Sequence, residues 1–216
     1  MTLNLNNMNE VAEAMVAPGK GILAADESTG TIGKRFDQIN TENTEQKRNA
    51  YRDLLFSSEN IQEYISGVIM YDETFHQSSL KDDVLYPEYL ASLDIIPGIK
   101  VDTGAHNLAG TDGEKITTGL DGLDQRLAEY RKLGARFAKW RGVINITELN
   151  PSDYCINTNA HALARYAALC QSNDIVPIVE PEILMDGVHD IEDTFVVTEE
   201  VLHTVFSELY NQGVQF

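Results

Sequence analysis

Apolar positions along the chain fall in short dense runs, separated by longer stretches in which they recur every three or four residues. Within residues 1–17, Val11, Ala14, Met15 and Val16 have helical spacing, which predicts an N-terminal helical extension stopped by Pro18-Gly19. Gly21-Ile22-Leu23-Ala24-Ala25 is the first dense run. It ends abruptly in Asp26-Glu27-Ser28-Thr29-Gly30, so it reads as a strand entering a loop. Thr44 to Phe56 is amphipathic, with Tyr51, Leu54 and Leu55 set among Glu45, Lys47, Arg48 and Arg52, and predicts a helix. Ile65 to Tyr71 is a second strand closed by Asp72 and Glu73, and Ile95 to Asp102 a third, ending in Thr103-Gly104. Gly110 to Gly119, rich in Gly, Asp and Thr, reads as a surface loop. Leu120 to Leu133 repeats Leu at 120, 123, 127 and 133, a helix with Gly134 at its C′ position. Ala135 to Arg141 is the fourth strand, and Pro151-Ser152-Asp153 opens a helix reaching about Ser172. Ile175 to Glu182 is the fifth strand, followed by the loop 185–190 and a helix over Val196 to Tyr210. Val214-Gln215-Phe216 reads as the opening of a sixth strand.

Strand, loop and helix in repetition, with nearly continuous apolar strands, is the pattern of a parallel α/β sheet covered by helices. No internal repeat competes with it. Two architectures remain, a doubly wound sheet and a closed barrel. No Gly-x-Gly-x-x-Gly follows the first strand to mark a dinucleotide crevice. Four strands finish in charged residues: Asp26; Lys100 with Asp102; Lys139 with Arg141; Glu180 with Glu182. A barrel gathers such ends on one rim, where active sites of that fold lie. The expectation is a single partial domain over residues 1–216, a (β/α)8 TIM barrel that is incomplete as given, with strands 1 to 5 and the start of strand 6.

Composition narrows the partners. The 216 residues carry a formal net charge of −18, which works against an extended phosphate-backbone surface, so no nucleic acid is expected. A local pair such as Lys34-Arg35 can still hold one phosphate. No apolar run of about 18 residues and no charged-then-apolar start is present, which points away from a membrane and toward a cytoplasmic protein. Cys155 and Cys170 lie in one helical segment and read as reduced, buried thiols. The five histidines show no HxxxH or HxH spacing, so no metal site is expected.

The fourth strand is the unusual one. Alternation puts Phe137, Lys139 and Arg141 on one face and Ala138 with Trp140 on the other, and a desolvated ammonium is costly unless paired. Glu180 and Glu182 share a face in the same way. Neighbouring parallel strands lie about 5 Å apart, so these charges can couple and poise a carboxyl to exchange protons near neutrality. The alternative is a mutually satisfied ionic network that seals the barrel top. The stretch Asp26 to Arg35 offers hydroxyls, glycines and two cations. It is either an N-capped helix start with solvent-facing basic residues or part of a phosphate cradle. An acid, a base and phosphate-holding cations on one rim suit proton transfer or carbon–carbon cleavage in a phosphorylated metabolite.

Several long stretches resemble class I fructose-bisphosphate aldolase, the metal-independent Schiff-base type. They are Ala17 to Gly30 (APGKGILAADESTG), Thr41 to Glu45 (TENTE), Gly98 to Asp102 (GIKVD), Gly119 to Leu123 (GLDGL), Phe137 to Arg141 (FAKWR) and Ile175 to Leu184 (IVPIVEPEIL). The resemblance implies that Glu180 shuttles protons in carbinolamine formation, dehydration and hydrolysis, that Asp26 handles the substrate hydroxyl released in cleavage, and that Lys139 sets a cation beside the reacting centre. Lys100, Arg141 and Glu182 resemble its ionic surroundings, and Ser28, Lys34, Arg35 and Arg48 resemble phosphate-binding and substrate-binding residues. It implies no metal and no cofactor. It also implies reversible cleavage of fructose 1,6-bisphosphate to two triose phosphates in glycolysis and gluconeogenesis, and a homotetramer when full length. The family's nucleophilic lysine lies on the sixth strand, which by this pattern falls beyond Phe216. The chain is therefore expected to be a fragment, a truncated gene product or an incomplete stretch of a longer aldolase. The competing readings are a catalytically inactive remnant that binds sugar phosphates or a partner protein, and a phosphosugar isomerase on the same barrel.

Overall fold

The structure, a computed structural model, describes residues 7–149 and 151–216. The expected N-terminal helix over 1–17 therefore falls partly on residues 1–6, outside the described residues. Within the rest of that stretch Met8–Met15 is helical (α1), capped by the Asn7 side chain, which accepts from the Glu10 amide.

The elements then follow in order: β1 (Gly21–Ala25), α2 (Thr29–Asp37), α3 (Glu45–Phe56), a 3-10 turn (Ile61–Glu63), β2 (Ile65–Met70), α4 (Asp72–Phe75), α5 (Tyr86–Ser92) and β3 (Ile96–Lys100). After these come β4 (Ala105–Asn107), β5 (Lys115–Thr117), α6 (Leu123–Lys132), β6 (Phe137–Ile144), α7 (Asp153–Ser172), β7 (Val176–Ile183) and α8 (Ile191–Asn211). The main sheet has the order β1-β2-β3-β6-β7. Each member is followed by the next long strand of the sequence, with helices between, which is the succession of a parallel (β/α)8 barrel carrying five of its strands. β1 pairs with β2 (Ile22 opposite Gly67, Ala25 opposite Met70) and β2 with β3 (Gly67 opposite Ile96, Met70 opposite Ile99).

Packing divides the chain into two compact units. The first takes the described residues up to Lys100 together with Glu129–Ala138 and Asp174–Val176. Its core holds Phe56, Val68, Met70, Phe75, Tyr86, Leu90, Ile99 and Phe137. Edge-to-face pairs, Phe56 with Tyr86 and Phe75 with Tyr130, add directionality to this burial. Phe137 packs where β2 and β3 carry Gly67 and Gly98, and a Cβ at Gly98 would enter its ring. The glycines are thus the space that the aromatic ring fills.

The second unit takes Val101–Ala128, Lys139–Asn173 and Pro177–Phe216. Trp140 stacks on Tyr166 with centroids 5.5 Å apart, both fully buried. Twenty-residue α7 starts at a Ser152 cap and buries Ile156, Ala160, Leu163, Ala164 and Ala167. α8 buries Val201, Val205 and Leu209, spaced four apart, and leaves Phe195, Phe206 and Tyr210 exposed.

Several boundaries differ from expectation, each for a local reason. Asp26 to Arg35 enters a helix, in keeping with the N-capped start that was one of its two readings: Ser28 caps α2, and Ile32 and Phe36, four apart, give it a buried face despite Gly30 and Gly33. The stretch 110–119 is not wholly loop, since Lys115–Thr117 pairs antiparallel with Ala105–Asn107. The helix expected from Leu120 begins at Leu123 because Gly119 and Gly122 take positive φ, 124° and 67°, which unwinds the first turn. The expected end at Gly134 holds, with the Ala135 amide donating to the Tyr130 carbonyl. β6 starts two residues later than expected and runs three beyond Arg141. α8 starts five residues before Val196, because Asp190 and Asp193 form a capping box. Residues 214–216 form no strand. The Val214 amide closes the end of α8 on the Leu209 carbonyl, and the Gln215 amide donates to the Gln171 side chain. α4 and α5 had no clear periodicity to announce them.

Candidate active site

The second unit holds the charged strand pair. β6 alternates as expected, with Trp140 buried on one face while Lys139 and Arg141 carry the other. Lys139 Nζ lies 3.1 Å from Glu180 Oε2, and Arg141 Nη1 lies 3.0 Å from Glu182 Oε2. The two pairs differ in exposure: the Lys139 side chain is 13% exposed and that of Arg141 45%. Burial pushes the Glu180 carboxyl above the ordinary glutamate range. Lys139 opposes this, Glu182 adds to it and Arg141 opposes it again, yet desolvation wins. Burial thus favours the protonated form of Glu180, and Lys139 stands beside the same carboxyl.

The backbone behind Arg141 is fixed from two sides. Its amide donates to Asp102 Oδ2 (3.5 Å), whose Oδ1 accepts from the Gly104 amide (3.1 Å). Its carbonyl accepts from the Thr117 hydroxyl at 2.6 Å. Thr117 in turn belongs to β5, which the buried Asn159 grips: its Nδ2 donates to the Lys115 carbonyl (2.9 Å) and its Oδ1 accepts from the Thr117 amide (3.5 Å). Asp102 was legible as a charged strand end. Thr117 and Asn159 carried no sequence signal, because an isolated hydroxyl and amide resemble any surface polar residue until the hairpin and α7 bring them together.

The first unit gathers the remaining candidates. Asp26 follows the last residue of β1 and is buried, 8% exposed. Lys100 is the last residue of β3 and half-buried. Ser28 is the α2 cap, with Oγ 3.3 Å from the Thr31 amide and 3.1 Å from the Thr31 hydroxyl. Lys34 is exposed in the last turn of α2. Arg35, beside it, forms an ion pair with Glu27 and donates to the Tyr51 hydroxyl at 3.0 Å. Glu27 also pairs with Arg52 (Nη2 to Oε2, 3.1 Å), a guanidinium 2% exposed that donates to the Glu27 backbone carbonyl at 2.9 Å as well. Burial lowers the pKa of Arg52 and Glu27 partly restores it, while Glu27 raises that of Arg35. Arg48 is engaged elsewhere, held bidentately by Glu73 at 2.7 and 2.6 Å, with Asn43 Oδ1 at 2.9 Å. Sequence reasoning assigned Glu27, Tyr51, Arg52 and Glu73 no role. Arg52 sits one turn after Arg48, and that i, i+4 spacing was the available signal.

Cys155 and Cys170 are free and buried. Burial, with Glu114 next in effect, pushes the Cys155 thiol up to about 11, and burial raises Cys170 further. Among the described residues no group of three or more His, Cys, Asp or Glu side chains is arranged to hold a metal ion, and no helix is long and apolar enough to cross a membrane.

Comparison with known proteins agrees with this architecture. A family model described as fructose-bisphosphate aldolase class-I matches residues 7–216. The chain is 58% identical over 212 residues to a probable fructose-bisphosphate aldolase class 1 of Xanthomonas campestris pv. campestris, covering 98% of this chain and 63% of that one. It is 54% identical over 210 residues to a fructose-bisphosphate aldolase of Schistosoma mansoni, covering 97% and 58%. The crystal structure of the Plasmodium falciparum aldolase, in complex with TRAP and a small-molecule inhibitor, superposes with a TM-score of 0.93 at 52% identity, covering 96% of this chain and 60% of that one. The chain thus spans about three-fifths of the length of these relatives. It belongs to the class-I fructose-bisphosphate aldolase family.

Proposed function

We propose that the protein to which these residues belong cleaves fructose 1,6-bisphosphate reversibly to dihydroxyacetone phosphate and glyceraldehyde 3-phosphate, by way of an imine on a lysine. The observation that carries this reading is the Lys139–Glu180 pair, a cation 3.1 Å from a carboxyl whose pKa burial has raised. Imine chemistry needs a group that gives a proton to a departing hydroxide and takes one from water, and efficiency peaks when its pKa approaches the working pH.

In the proposed sequence the lysine amine adds to the substrate ketone. Glu180 protonates the carbinolamine hydroxyl, which leaves as water and gives the iminium. The bond between the third and fourth carbons then breaks, with its electron pair passing into the iminium to form an enamine, while Asp26 takes the proton of the hydroxyl that becomes the aldehyde. Reprotonation of the enamine and hydrolysis, again through Glu180, release dihydroxyacetone phosphate and restore the amine. Lys139 lowers the energy of the anionic groups that form near Glu180. Lys100, Arg141 and Glu182 set the charge around them, and Ser28, Lys34, Arg35 and Arg48 bind phosphate and sugar oxygens. In this reading the lysine lies on a sixth strand, beyond Phe216. The same reading makes the full-length protein a cytoplasmic homotetramer that acts on sugar phosphates without metal, nucleic acid or membrane.

The test is borohydride trapping of the purified gene product with dihydroxyacetone phosphate, followed by mass spectrometry of its peptides. A reduced triose-phosphate adduct on one lysine, together with cleavage of fructose 1,6-bisphosphate, is the expected result. Cleavage without any adduct, or no cleavage at all, overturns it. A chain ending at Phe216 that binds phosphate but forms no adduct conforms to the second reading, sugar-phosphate binding without turnover.

A further inference from the structure

Glu27 is shared by two arginines of opposite exposure, and nothing in its proposed chemistry requires both. Arg52 is 2% exposed and grips Glu27 twice, at the carboxylate (3.1 Å) and at the backbone carbonyl (2.9 Å). The Arg52 guanidinium also lies over the Tyr51 ring, 5.2 Å from its centroid. Arg35 is 54% exposed and touches the cluster only through Nη1, which meets Glu27 Oε1 and the Tyr51 hydroxyl. One cation is built into the fold, and the other rests on it from the solvent side.

We propose that Glu27 is a resident stand-in for a phosphate monoester: it holds Arg35 in place until the phosphate arrives, and Arg52 keeps Glu27 paired once Arg35 has left. This rests on the reading of Arg35 as a phosphate ligand. A carboxylate stripped of its only cation in a buried site is costly, so an arginine with a single-partner acid would be reluctant to leave it. Here that cost is removed in advance. After departure of Arg35, Oε2 keeps Arg52, and Oε1 keeps the Tyr51 hydroxyl, which already lies 3.4 Å away. Arg52 has donors to spare as well. Its Nε and Nη1 are buried without a hydrogen-bond partner among the described residues, so the guanidinium can turn toward Oε1. The incoming group has an advantage over the carboxylate it displaces, since a phosphate dianion carries about twice the charge and three acceptor oxygens. Lys34, exposed next to Arg35 in the same helical turn, supplies a second cation for it. In a chain of net charge −18, a placeholder acid also keeps Arg35 from pairing with other carboxylates in unproductive directions.

The test titrates the chain with inorganic phosphate at low ionic strength by calorimetry. Glu27→Gln removes the competing charge and is expected to tighten phosphate binding about two- to fivefold, the worth of one ion pair whose cation is open to solvent. Arg35→Ala is expected to weaken binding and to abolish the gain from Glu27→Gln in the double variant. Weakening by Arg35→Ala with no gain from Glu27→Gln overturns the stand-in while leaving the phosphate ligand in place. No effect of Arg35→Ala overturns the phosphate reading of Arg35 and the stand-in with it. Glu27→Gln leaves Arg52 charged and buried, so its thermal melt is compared first. If that variant does not fold, Glu27→Asp decides, since it keeps a charge for Arg52 and draws it back from Arg35: tighter phosphate binding supports the exchange, and unchanged binding overturns it.

Discussion

Lys139 Nζ stands 3.1 Å from Glu180 Oε2 and still does not bring that carboxyl down to the ordinary glutamate range, because desolvation outweighs the ion pair. The cation is therefore a moderator of an already raised pKa. Replacing it in Lys139→Met removes the largest opposing effect, so the Glu180 pKa is expected to rise further. Carbon-detected NMR of the Glu180 carboxyl through a pH titration reads this directly, and an unchanged or lower midpoint in the variant refutes it.

The same shift has a consequence for stability. A carboxyl whose folded pKa exceeds its unfolded value of about 4.3 favours the folded state in its protonated form. That contribution is complete below the unfolded value and is lost as pH rises through the folded one. Denaturant melts of wild type against Glu180→Gln are expected to show the variant gaining relative stability across that window, and the gain should be larger in a Lys139→Met background. A difference that is flat with pH, or that moves the other way, contradicts the assignment of desolvation as the dominant cause.

Gly98 and Phe137 share a volume that only one side chain can occupy. Phe137 is fully buried, so its ring cannot swing into solvent to admit a methyl group. Gly98→Ala is expected to cost about 1–3 kcal/mol, the usual range for overpacking a dense core. Phe137→Leu in the same chain should recover part of that loss, since the two changes are coupled through one space. Denaturation midpoints of the two single variants and the double variant measure this. Simple additivity of the two costs would show that the ring and the glycine are independent.

How far the sequence carried is clearest at β6 and α2. In β6 the period-two pattern was strong, the charges stood out against an apolar background, and the partners were other strand ends, so the coupling of Lys139 and Arg141 to Glu180 and Glu182 was legible, and the structure adds which cation meets which acid. α2 is nine residues long with two internal glycines, and its apolar face rests on Ile32 and Phe36. A signal that thin competes with glycine and hydroxyl content, which is why the segment read equally as an N-capped helix start and as a phosphate-holding loop. The cluster around Glu27 was invisible for another reason. Its members come from residues 27, 35, 51 and 52, and only the packing of α3 against the start of α2 tells a buried Arg52 from a solvated one. Thr117 was hidden similarly, inside a three-residue strand too short to show alternation.

Cys155 and Cys170 offer a check on packing in the second unit. Both are buried, and burial raises both thiols above the ordinary cysteine range, Cys155 to about 11. The thiolate is the reactive form, so both should resist a disulfide reagent in the native chain and react promptly in denaturant. Fast stoichiometric labelling of native protein would show that α7 opens on the labelling timescale.

Ser28 was expected to bind substrate, and it also caps α2, with Oγ 3.3 Å from the Thr31 amide. Two variants separate these roles. Ser28→Ala deletes both and is expected to lower stability by about 1 kcal/mol, the common cost of a lost N-cap. Ser28→Asp restores the cap, and its charge suits the helix N-terminus, so stability should return to the wild-type value or exceed it. Phosphate affinity should part company with stability at this point, because a carboxylate at residue 28 repels an arriving dianion. Inorganic phosphate is therefore expected to bind Ser28→Asp more weakly than Ser28→Ala, although the aspartate variant is the more stable of the two. If Ser28→Asp matches wild type in both melting midpoint and phosphate affinity, Ser28 serves the helix alone, and the phosphate must be held by Lys34, Arg35 and their neighbours.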